Sequence, residues 1–435
     1  MKHTPRRLAV LAIGIAAAIG LAGCGTPSGP SNQPTALTTE NVTISLFWWG
    51  NDARQQRTQQ VIDLFQKKYP NIKVEPQFAD WTSYWDKLAT MTAGSNMPDV
   101  VQMDMMYLAS YAGNGVLANL DGNPLIDTKN IPSAVLGTGL YKSHQYGMPI
   151  SATAQALIVN TTLLDQLGIA LPDTSKWTWD EFNTWAASIT KASNGTIYGT
   201  YIQYIEYQLE LFARQMNDTV FKDGKMAIKP ETLAKFFQTS LDWVNSGAAP
   251  SASTIAETIN VPIDQSPFGQ GKEVSAWGSS TQITSFQAAV ANSKMVVAEL
   301  PRFADAPSGW EYLKPGMYWS MSAKSAHPAE AAALINFLIN DPEAGAIIGA
   351  ERGIPASTAI MNAIKPSLKD TEQKAVEFGA GLTLGPAPEM PPAGSSDVQN
   401  TIQRYLLVVL NGQQTPLDAA KAMIAEVNAA IQAAK

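Results

Sequence analysis

Apolar and polar residues near the start of the chain follow regular periods that predict alternating strands and helices. The alternation over 42–48 has the period of a β-strand, and the apolar positions over 61–69 have helical spacing. Residues 72–78 predict a second strand, 84–91 a second helix and 99–103 a third strand. A β-α-β-α-β order requires a parallel sheet with right-handed crossovers. We therefore expect an α/β fold.

The remainder of the chain continues to alternate between the two periods. Thr178 and Glu181 have the spacing of a helix capping box, which predicts a helix that begins after Thr178. Further strands are predicted at 156–160 and 295–300. The further predicted helices cover residues 206–216, 231–246, 328–339 and 417–434.

Aromatic or methionine side chains lie beside a carboxylate at three predicted strand ends, over 48–52, 80–84 and 103–107. Ligands of open parallel sheets bind beyond the carboxyl ends of the strands. Core packing explains any single Trp in these clusters equally well. Their coincidence at three strand ends indicates a binding site.

The N-terminus has the pattern of a lipoprotein signal peptide. A basic head containing Lys2, Arg6 and Arg7 precedes the apolar segment 8–21, which is too short to span a bilayer comfortably. The segment ends in Leu-Ala-Gly-Cys, which resembles a bacterial lipobox with Cys24 as the lipid-bearing residue. We expect 1–23 to be the signal peptide.

The stretch that follows Cys24 is rich in Gly, Pro, Ser and Thr, and it predicts a flexible tether over 24–40. No later run of about 18 apolar residues predicts a membrane span. These features indicate a domain anchored by lipid at the outer face of the cytoplasmic membrane.

Charge and motif content exclude several kinds of function. The formal net charge is -7, which disfavours nucleic acid and polyanionic ligands. Of the three histidines, His144 and His327 are isolated from one another, and HExxH, CxxC, GxSxG, Walker and GxGxxG motifs are absent. We expect no metal, no cofactor and no catalytic residue.

Eight stretches, spread along almost the whole chain after residue 40, carry a family resemblance through their order and spacing. They are FWWGND, FQKKYPNIKVE, MPDVVQMD, YGMPISATAQALIVNTTLLDQLG, TWDEF, FGQGKEVSAWG, SAKSAHPAEAAALINFL and ERGIPAS. Together they resemble the extracellular solute-binding protein family 1, which includes maltodextrin-binding proteins and other sugar-binding lipoproteins of ABC importers. The sixth stretch departs from the GKxAM pattern of the family at Glu273-Val274-Ser275.

The resemblance implies a two-lobed periplasmic-binding-protein-like fold of type II, with the ligand cleft between the lobes. By analogy, lobe one consists of 41–150 and 297–368, and lobe two of 151–296 and 369–435. The resemblance further implies a monomer that closes on a carbohydrate by a hinge motion and delivers it to the permease subunits of an ABC transporter.

The resemblance, matched motif by motif, together with the second strand end, places fourteen residues at the ligand site. They are Trp48, Trp49, Asp52, Trp81, Asp104, Tyr107, Thr153, Gln155, Tyr204, Glu206, Trp277, Gly278, Trp319 and Arg352. Aromatic rings suit the apolar faces of a pyranose, and carboxylates or amides suit its hydroxyls. The same aspartates are also explained as helix N-caps, and Arg352 as a member of an ion pair.

Four classes of function remain open at this point. The first is a binding protein for an uncharged mono- or oligosaccharide, and the second is a binding protein for a cationic solute such as a polyamine or quaternary ammonium. The third is a secreted glycosidase, which needs two carboxylates at a suitable separation. The fourth is a structural lipoprotein, for which aromatic clusters at strand ends have no use.

Replacing Cys24 tests the lipid anchor. Because Cys24 is the only cysteine in the chain, the Cys24→Ala variant removes the one thiol that can carry the lipid. We expect this variant to fractionate with soluble protein, whereas the wild type fractionates with membranes. Continued tight membrane association of the variant would contradict the lipoprotein interpretation.

Overall fold

The computed structural model describes residues 36–50 and 52–434. The predicted signal peptide and Cys24 lie outside the described residues, as does most of the predicted tether. The strands are β1 Val42–Trp49, β2 Ile72–Ala79, β3 Val100–Met103, β4 Leu140–Tyr141, β5 His144–Gln145, β6 Met148–Thr153, β7 Gln155–Asn160, β8 Tyr198–Thr200, β9 Phe221–Lys222, β10 Lys225–Met226, β11 Glu273–Ser279, β12 Met295–Ala298, β13 Lys314–Met321 and β14 Ile354–Pro355.

Helices connect most of these strands. They are α1 Asp52–Lys68, α2 Trp81–Ala93, α3 Met105–Gly113, α4 Ser133–Leu136, α5 Thr161–Leu167, α6 Trp179–Ala192, α7 Glu206–Gln215, α8 Pro230–Ser246, α9 Ala252–Thr258, α10 Ile283–Ala289, α11 Pro328–Asn340, α12 Pro342–Ile348, α13 Thr358–Ile364, α14 Asp370–Gly381, α15 Val398–Leu410 and α16 Pro416–Ala433. The helix after Thr178 begins with the predicted capping box, because the Thr178 hydroxyl and the Glu181 carboxylate cap each other's backbone N–H groups.

A six-stranded sheet in the order β14-β6-β13-β3-β1-β2 forms the first layer. In this sheet β1 pairs in parallel with both β2 and β3, as the β-α-β-α-β pattern predicts. The later strand β13 joins β3 and β6 in antiparallel orientation. The carboxyl ends of β1, β2 and β3 therefore lie at one edge, followed by the first turns of α1, α2 and α3.

The core around this sheet draws on two separated parts of the sequence. It contains buried residues from Ile44 to Ala152 and again from Met317 to Ala356. Helices α1, α2, α3 and α11 cover the sheet with residues such as Phe65, Leu88 and Leu334, which are inaccessible to solvent. We refer to this layer and its helices as lobe one.

A second sheet, in the order β12-β7-β11-β8, has its own core. Buried residues between Leu157 and Tyr312, together with those of α15 and α16, form that core. We refer to this part as lobe two. Among the described residues, both lobes belong to one compact unit.

The resemblance implies that the chain crosses back to lobe one at residue 297. Strand β12 pairs with β7, and Leu300, Trp310 and Tyr312 are buried in the second core. The next residue whose side chain packs on the first core is Leu313. Because strand pairing and side-chain packing agree, we propose that this crossing lies near Leu313.

The end of the predicted tether is packed against lobe one. Leu37 contacts the first core, and the Thr38 backbone N–H donates a hydrogen bond to the Glu330 carboxylate over 2.8 Å. The Asn71 side-chain amide donates to the carbonyl oxygens of Thr38 and Glu40. These contacts fix the chain from Leu37 onward, so residues 37–40 belong to the folded unit.

Close packing between β8 and α6 leaves no space for a side chain at Gly199. A Cβ atom there would lie 2.2 Å from the Ala186 carbonyl oxygen and 2.4 Å from Ala186 Cα. We expect Gly199→Ala to lower the free energy of unfolding by about 1–3 kcal/mol, because the backbone of α6 must move. Urea denaturation followed by circular dichroism measures this loss.

Gly381→Ala is the matched control, because a Cβ at Gly381 meets no atom within 4 Å. We expect this control to unfold at the wild-type urea concentration or slightly above it. Equal midpoints for Gly199→Ala and the wild type would contradict the tight packing of β8 on α6.

Candidate functional site

An aromatic face lies at the carboxyl edge of the lobe-one sheet. We define it as Trp49, Trp81, Trp85 and Tyr107, which come from the end of β1 and from helices α2 and α3. Trp81 stands edge-on to Trp49 at 5.0 Å and to Trp85 at 5.4 Å between ring centroids. Trp85 stacks on Tyr107 at 3.7 Å. The Trp81 side chain is 44% exposed, so the face presents an aromatic surface to solvent.

Asp104 follows β3 and caps α3, where its carboxylate accepts the Met106 backbone N–H over 2.8 Å. Burial raises the pKa of Asp104, while Lys314 and the hydrogen bond from Met106 lower it. Asp104 is therefore the N-cap of α3, which was one of its two predicted roles. Its carboxylate still has unused acceptor capacity, because the cap occupies one oxygen.

A charged group joins the two lobes at the start of β13. Lys314 Nζ lies 3.4 Å from the Glu206 carboxylate at the beginning of α7, with side chains 21% and 7% exposed. Lys314 also lowers the pKa of Asp104, so one ammonium group acts electrostatically on a lobe-one and a lobe-two carboxyl group. We refer to Asp104, Lys314 and Glu206 as the hinge charges.

Lobe two contains a cavity of about 180 Å³ beside β11. Tyr204, Trp277 and Gly278, three of the predicted site residues, line it together with Tyr201 and Glu273. The volume exceeds the space of a single water roughly tenfold, so the cavity has room for part of a small organic solute. The cavity is thus a candidate binding pocket.

Glu273 contributes a carboxyl group to the lining of this cavity. The side chain is 2% exposed, and its Oε1 atom has no hydrogen-bond partner in the protein. Burial raises the pKa of Glu273 far above its ordinary range. The pKa values of Tyr201 and Tyr204 are also raised, first by burial and further by the Glu273 carboxylate. The cavity therefore combines aromatic rings with an uncompensated carboxyl group.

Trp277 belongs to the wall of this cavity and to the core behind it. Its ring stacks on Trp243 at 5.5 Å and on Trp179 at 6.0 Å. Its indole N–H donates to the Thr200 hydroxyl over 2.9 Å and to the Tyr201 carbonyl oxygen over 3.1 Å. Both ring contacts lie in the second core, so Trp277 is held rigidly in place.

The hinge strand contains the next two predicted residues. Thr153 ends β6 in lobe one and Gln155 begins β7 in lobe two. Neither amide atom of the Gln155 side chain has a hydrogen-bond partner in the protein, although the residue is 1% exposed. A buried polar group of this kind costs about 1–3 kcal/mol unless it finds a partner.

Three predicted residues are buried inside lobe one, away from these accessible surfaces. Trp48 and Trp319 are at most 1% exposed in the first core, and Arg352 is 4% exposed beneath Trp319. Burial lowers the pKa of Arg352 to about 9, and its guanidinium donates to the Thr58 hydroxyl. Asp52 is exposed in the first turn of α1. The structure does not bring these four residues into one site.

The family model for bacterial extracellular solute-binding proteins matches residues 49–345. The chain belongs to this family. The family consists of binding proteins and not of enzymes.

Two curated relatives of this solute-binding protein match parts of it. An uncharacterized lipoprotein in the oleD 5' region of Streptomyces antibioticus is 29% identical over 39% of this chain and 37% of its own length. The arabinooligosaccharide-binding protein of Bacillus subtilis is 22% identical over 52% of this chain and 51% of its own length. The chain thus aligns with about half or less of these relatives.

Solved structures of other binding proteins share the fold of this solute-binding protein. A periplasmic oligogalacturonide-binding protein from Yersinia enterocolitica, solved with saturated digalacturonic acid, is 23% identical. It covers 90% of this chain and 99% of its own, with a TM-score of 0.76. This likeness confirms the predicted α/β fold of the type II periplasmic-binding-protein class.

Four residues near the binding surfaces of this solute-binding protein escaped sequence reasoning. Trp85 lies one residue after the strand-end cluster, and Lys314 begins β13, a strand that the sequence periodicity did not predict. Glu273 stood out only as a departure from the family pattern. The Asp397 carboxylate, in lobe two, raises the pKa of Tyr107, although nearly 300 residues separate the two in sequence.

The segment that leads to Asp397 contacts both lobes of the solute-binding protein. Its Ala387 packs on the second core and its Met390 on the first. The Gly385 backbone N–H donates to the Glu311 carbonyl oxygen, and the Glu389 carboxylate accepts the Asp223 backbone N–H. The proline residues around Met390 are the sequence signal that marks this extended segment.

Within residues 36–50 and 52–434, no helix is both long and apolar enough to span a membrane. In the same part of the chain, no cluster of three or more His, Cys, Asp or Glu side chains could hold a metal ion.

Removal of the Lys314 charge from the Lys314–Glu206 pair at the hinge should destabilise the fold. Lys314→Met keeps most of the aliphatic stem but leaves the Glu206 carboxylate buried and unpaired. We expect the free energy of unfolding to fall by about 1–3 kcal/mol, measured by urea denaturation at pH 7.

Lys129→Met is the matched control for this change. Lys129 pairs with Asp127 over 3.6 Å, but its side chain is 87% exposed. Exposed pairs contribute little, so we expect the control to unfold like the wild type. If Lys314→Met also unfolds like the wild type, the pair at the hinge does not stabilise the fold.

Proposed function

We propose that this protein is the extracellular solute-binding component of an ABC importer and that its solute is a mono- or oligosaccharide. The aromatic face of lobe one carries this proposal. It sets an exposed Trp81 and a partly exposed Tyr107 beside the Asp104 carboxylate at the carboxyl ends of parallel strands. Aromatic rings cover the C–H face of a sugar, and a carboxylate binds its hydroxyls through charge-assisted hydrogen bonds.

The hinge charges and the lobe-two cavity supply the opposite side of the proposed site. Glu206 begins α7 and pairs with Lys314, and Tyr204 precedes α7 and lines the cavity. A sugar bound on the aromatic face can then contact lobe two through these residues when the lobes close. Closure around a ligand that contacts both lobes is a population shift towards the closed state.

Relatives support a saccharide as the solute. The Bacillus subtilis relative binds arabinooligosaccharides, and the Yersinia enterocolitica protein binds an oligogalacturonide. We propose a related class of ligand for this chain. At 22% and 23% identity, these proteins support a class of ligand and not a particular sugar.

We propose that Cys24 anchors the protein to the outer face of the cytoplasmic membrane, where it delivers the sugar to a permease. The lipobox-like Leu-Ala-Gly-Cys sequence supports the anchor, and a relative from Streptomyces antibioticus is named a lipoprotein. A lipid anchor with a short tether keeps the binding domain near its membrane partner, and the domain acts as a monomer.

A second candidate solute is a cation such as a polyamine or a quaternary ammonium compound. The carboxylates around Tyr107 and the uncompensated Glu273 in the lobe-two cavity favour it, because aromatic rings with carboxylates also bind ammonium groups. A saccharide has the stronger support, because relatives with sugar ligands share the fold.

A thermal-shift screen of residues 25–435 against mono- and oligosaccharides, with choline and polyamines included, tests the proposal. A ligand that binds only the folded state stabilises it by about 2.7 kcal/mol at a hundredfold excess over its Kd. We expect a shift with one class of glycan and recovery of that glycan unchanged. Shifts only with cations would replace the saccharide by the second candidate.

Trp81→Ala tests the aromatic face. The side chain is 44% exposed, so its loss removes the ring surface offered to the sugar while leaving most of the core intact. We expect the glycan found in the screen to bind at least tenfold more weakly, as measured by calorimetry.

Leu417→Ala is the matched control, because Leu417 is 38% exposed on α16 and distant in sequence from the aromatic face. It should bind the glycan with wild-type affinity. Unchanged affinity in a folded Trp81→Ala variant would remove the aromatic face from the binding site.

A further inference from the structure

A second cavity, of about 370 Å³, lies between the loop that follows β12 and the end of α14. Glu299, Arg302, Trp310 and Glu311 line it from the loop, and residues 381–383 line it from the other side. We refer to it as the loop cavity. It shares no described lining residue with the lobe-two cavity, the aromatic face or the hinge charges. The loop cavity is therefore distinct from the surfaces on which the proposed function depends.

Main-chain contacts hold the loop that forms the cavity wall. The Arg214 guanidinium donates to the carbonyl oxygens of Trp310 over 2.7 Å and of Gly309 over 3.1 Å. The Gly385 backbone N–H donates to the Glu311 carbonyl oxygen over 2.7 Å. The loop is thus fixed through its backbone, which leaves the polar side chains of the lining available to a ligand.

Glu311 places a carboxyl group in this wall that the protein does not pair. The residue is 8% exposed, and its carboxyl group forms no hydrogen bond or ion pair with another described residue. Burial and the neighbouring Glu299 raise the pKa of Glu311 to about 8, while Arg302 lowers it, so this carboxyl group is largely protonated at pH 7. A buried polar group without a partner destabilises a fold, so Glu311 requires an explanation other than stability.

Arg302 and Glu299 are unpaired in the same cavity. Both are partly buried, and neither side chain forms a hydrogen bond or an ion pair elsewhere in the described part of the chain. The guanidinium offers only donors, whereas the protonated Glu311 carboxyl group both donates and accepts. A hydroxyl group also donates and accepts, so a ligand rich in hydroxyls matches this mixed lining without a charge of its own.

The remaining lining and the size of the loop cavity suit a small organic molecule. Trp310, Phe303 and Pro307 contribute apolar area to the wall, against which C–H groups can pack. The volume of about 370 Å³ is about twice the 180 Å³ of the lobe-two cavity. Small-molecule sites typically have volumes of roughly 300–1,000 Å³, with a few polar groups among apolar side chains.

We infer that the loop cavity is a second binding site and that its ligand is an uncharged polyol of monosaccharide size or smaller. The unpaired Glu311 carboxyl group, buried in the cavity wall, is the observation that carries this inference. Hydroxyls of the polyol accept hydrogen bonds from Arg302 and exchange them with Glu311 and Glu299. The inference goes beyond the proposed function and does not depend on it, because the two sites share no residue.

Ligand-observed NMR titrations at pH 7 test the site with defined probes. The polyols are glycerol, xylitol, L-arabinose, D-glucose and myo-inositol, and the charged probes are glycine, acetate and ethanolamine. We expect at least one polyol to bind the wild type with a Kd of about 1 mM or tighter, and no charged probe to match it. Trp81→Ala should bind that polyol with the wild-type affinity, because Trp81 does not line the loop cavity.

Glu311→Leu removes the unpaired carboxyl group and keeps an apolar side chain of similar length. We expect the polyol to bind this variant at least tenfold more weakly, because the central hydrogen-bonding group is lost. The same variant should unfold at the wild-type urea concentration or above it, since a buried polar group without a partner has been removed. Glu231→Leu, an exposed substitution on α8 outside the cavity lining, is the matched control and should bind the polyol like the wild type.

Three outcomes would overturn the second site. One is that no polyol binds the wild type, and another is that only charged probes bind. The third is polyol binding that Trp81→Ala abolishes and Glu311→Leu leaves unchanged, which would assign the polyol to the aromatic face and leave the proposed function standing. Conversely, polyol binding that depends on Glu311, in a protein that binds no glycan of the earlier screen, would support this inference while contradicting the proposed function.

Discussion

The parallel pairing of β1 between β2 and β3 is the constraint on which the site depends. Three parallel strands must end at the same edge, and each must be followed by a helix that returns over the sheet. Trp49, Trp81, Asp104 and Tyr107 come from these three strand ends, so one backbone arrangement brings them together. The aromatic face is therefore a consequence of strand order and not of a local sequence motif.

Assembly of a binding surface from carboxylates has an energetic cost in the unliganded protein. Asp104 and Glu273 both have pKa values raised by burial, which means that their charged forms are disfavoured in the folded state. Each raised pKa makes folding less favourable as the pH rises above the ordinary value for that carboxyl group. The hinge charges offset part of this cost for Asp104, because Lys314 favours its ionised form.

The sequence predicted the strands, the helices and the parallel sheet of lobe one, because their signals are local periods. It could not separate Trp48 from Trp49. Strand alternation sends consecutive residues to opposite faces, and only the helices packed on each face decide that Trp48 is inaccessible to solvent while Trp49, which is 7% exposed, contacts Trp81. Lys314 and Asp397 act electrostatically on Asp104 and Tyr107 from distant segments of the chain, for which no local pattern exists. Glu273 was visible only as a residue that broke a family pattern.

The hinge between the two sheets contains a buried amide without a hydrogen-bond partner. Thr153 and Gln155 are neighbours across Ala154, yet they belong to different sheets, so a change in a few backbone angles there moves one lobe against the other. The Gln155 amide is buried without a protein partner, which costs about 1–3 kcal/mol. An arrangement of lobes and solute that satisfies this amide recovers that free energy.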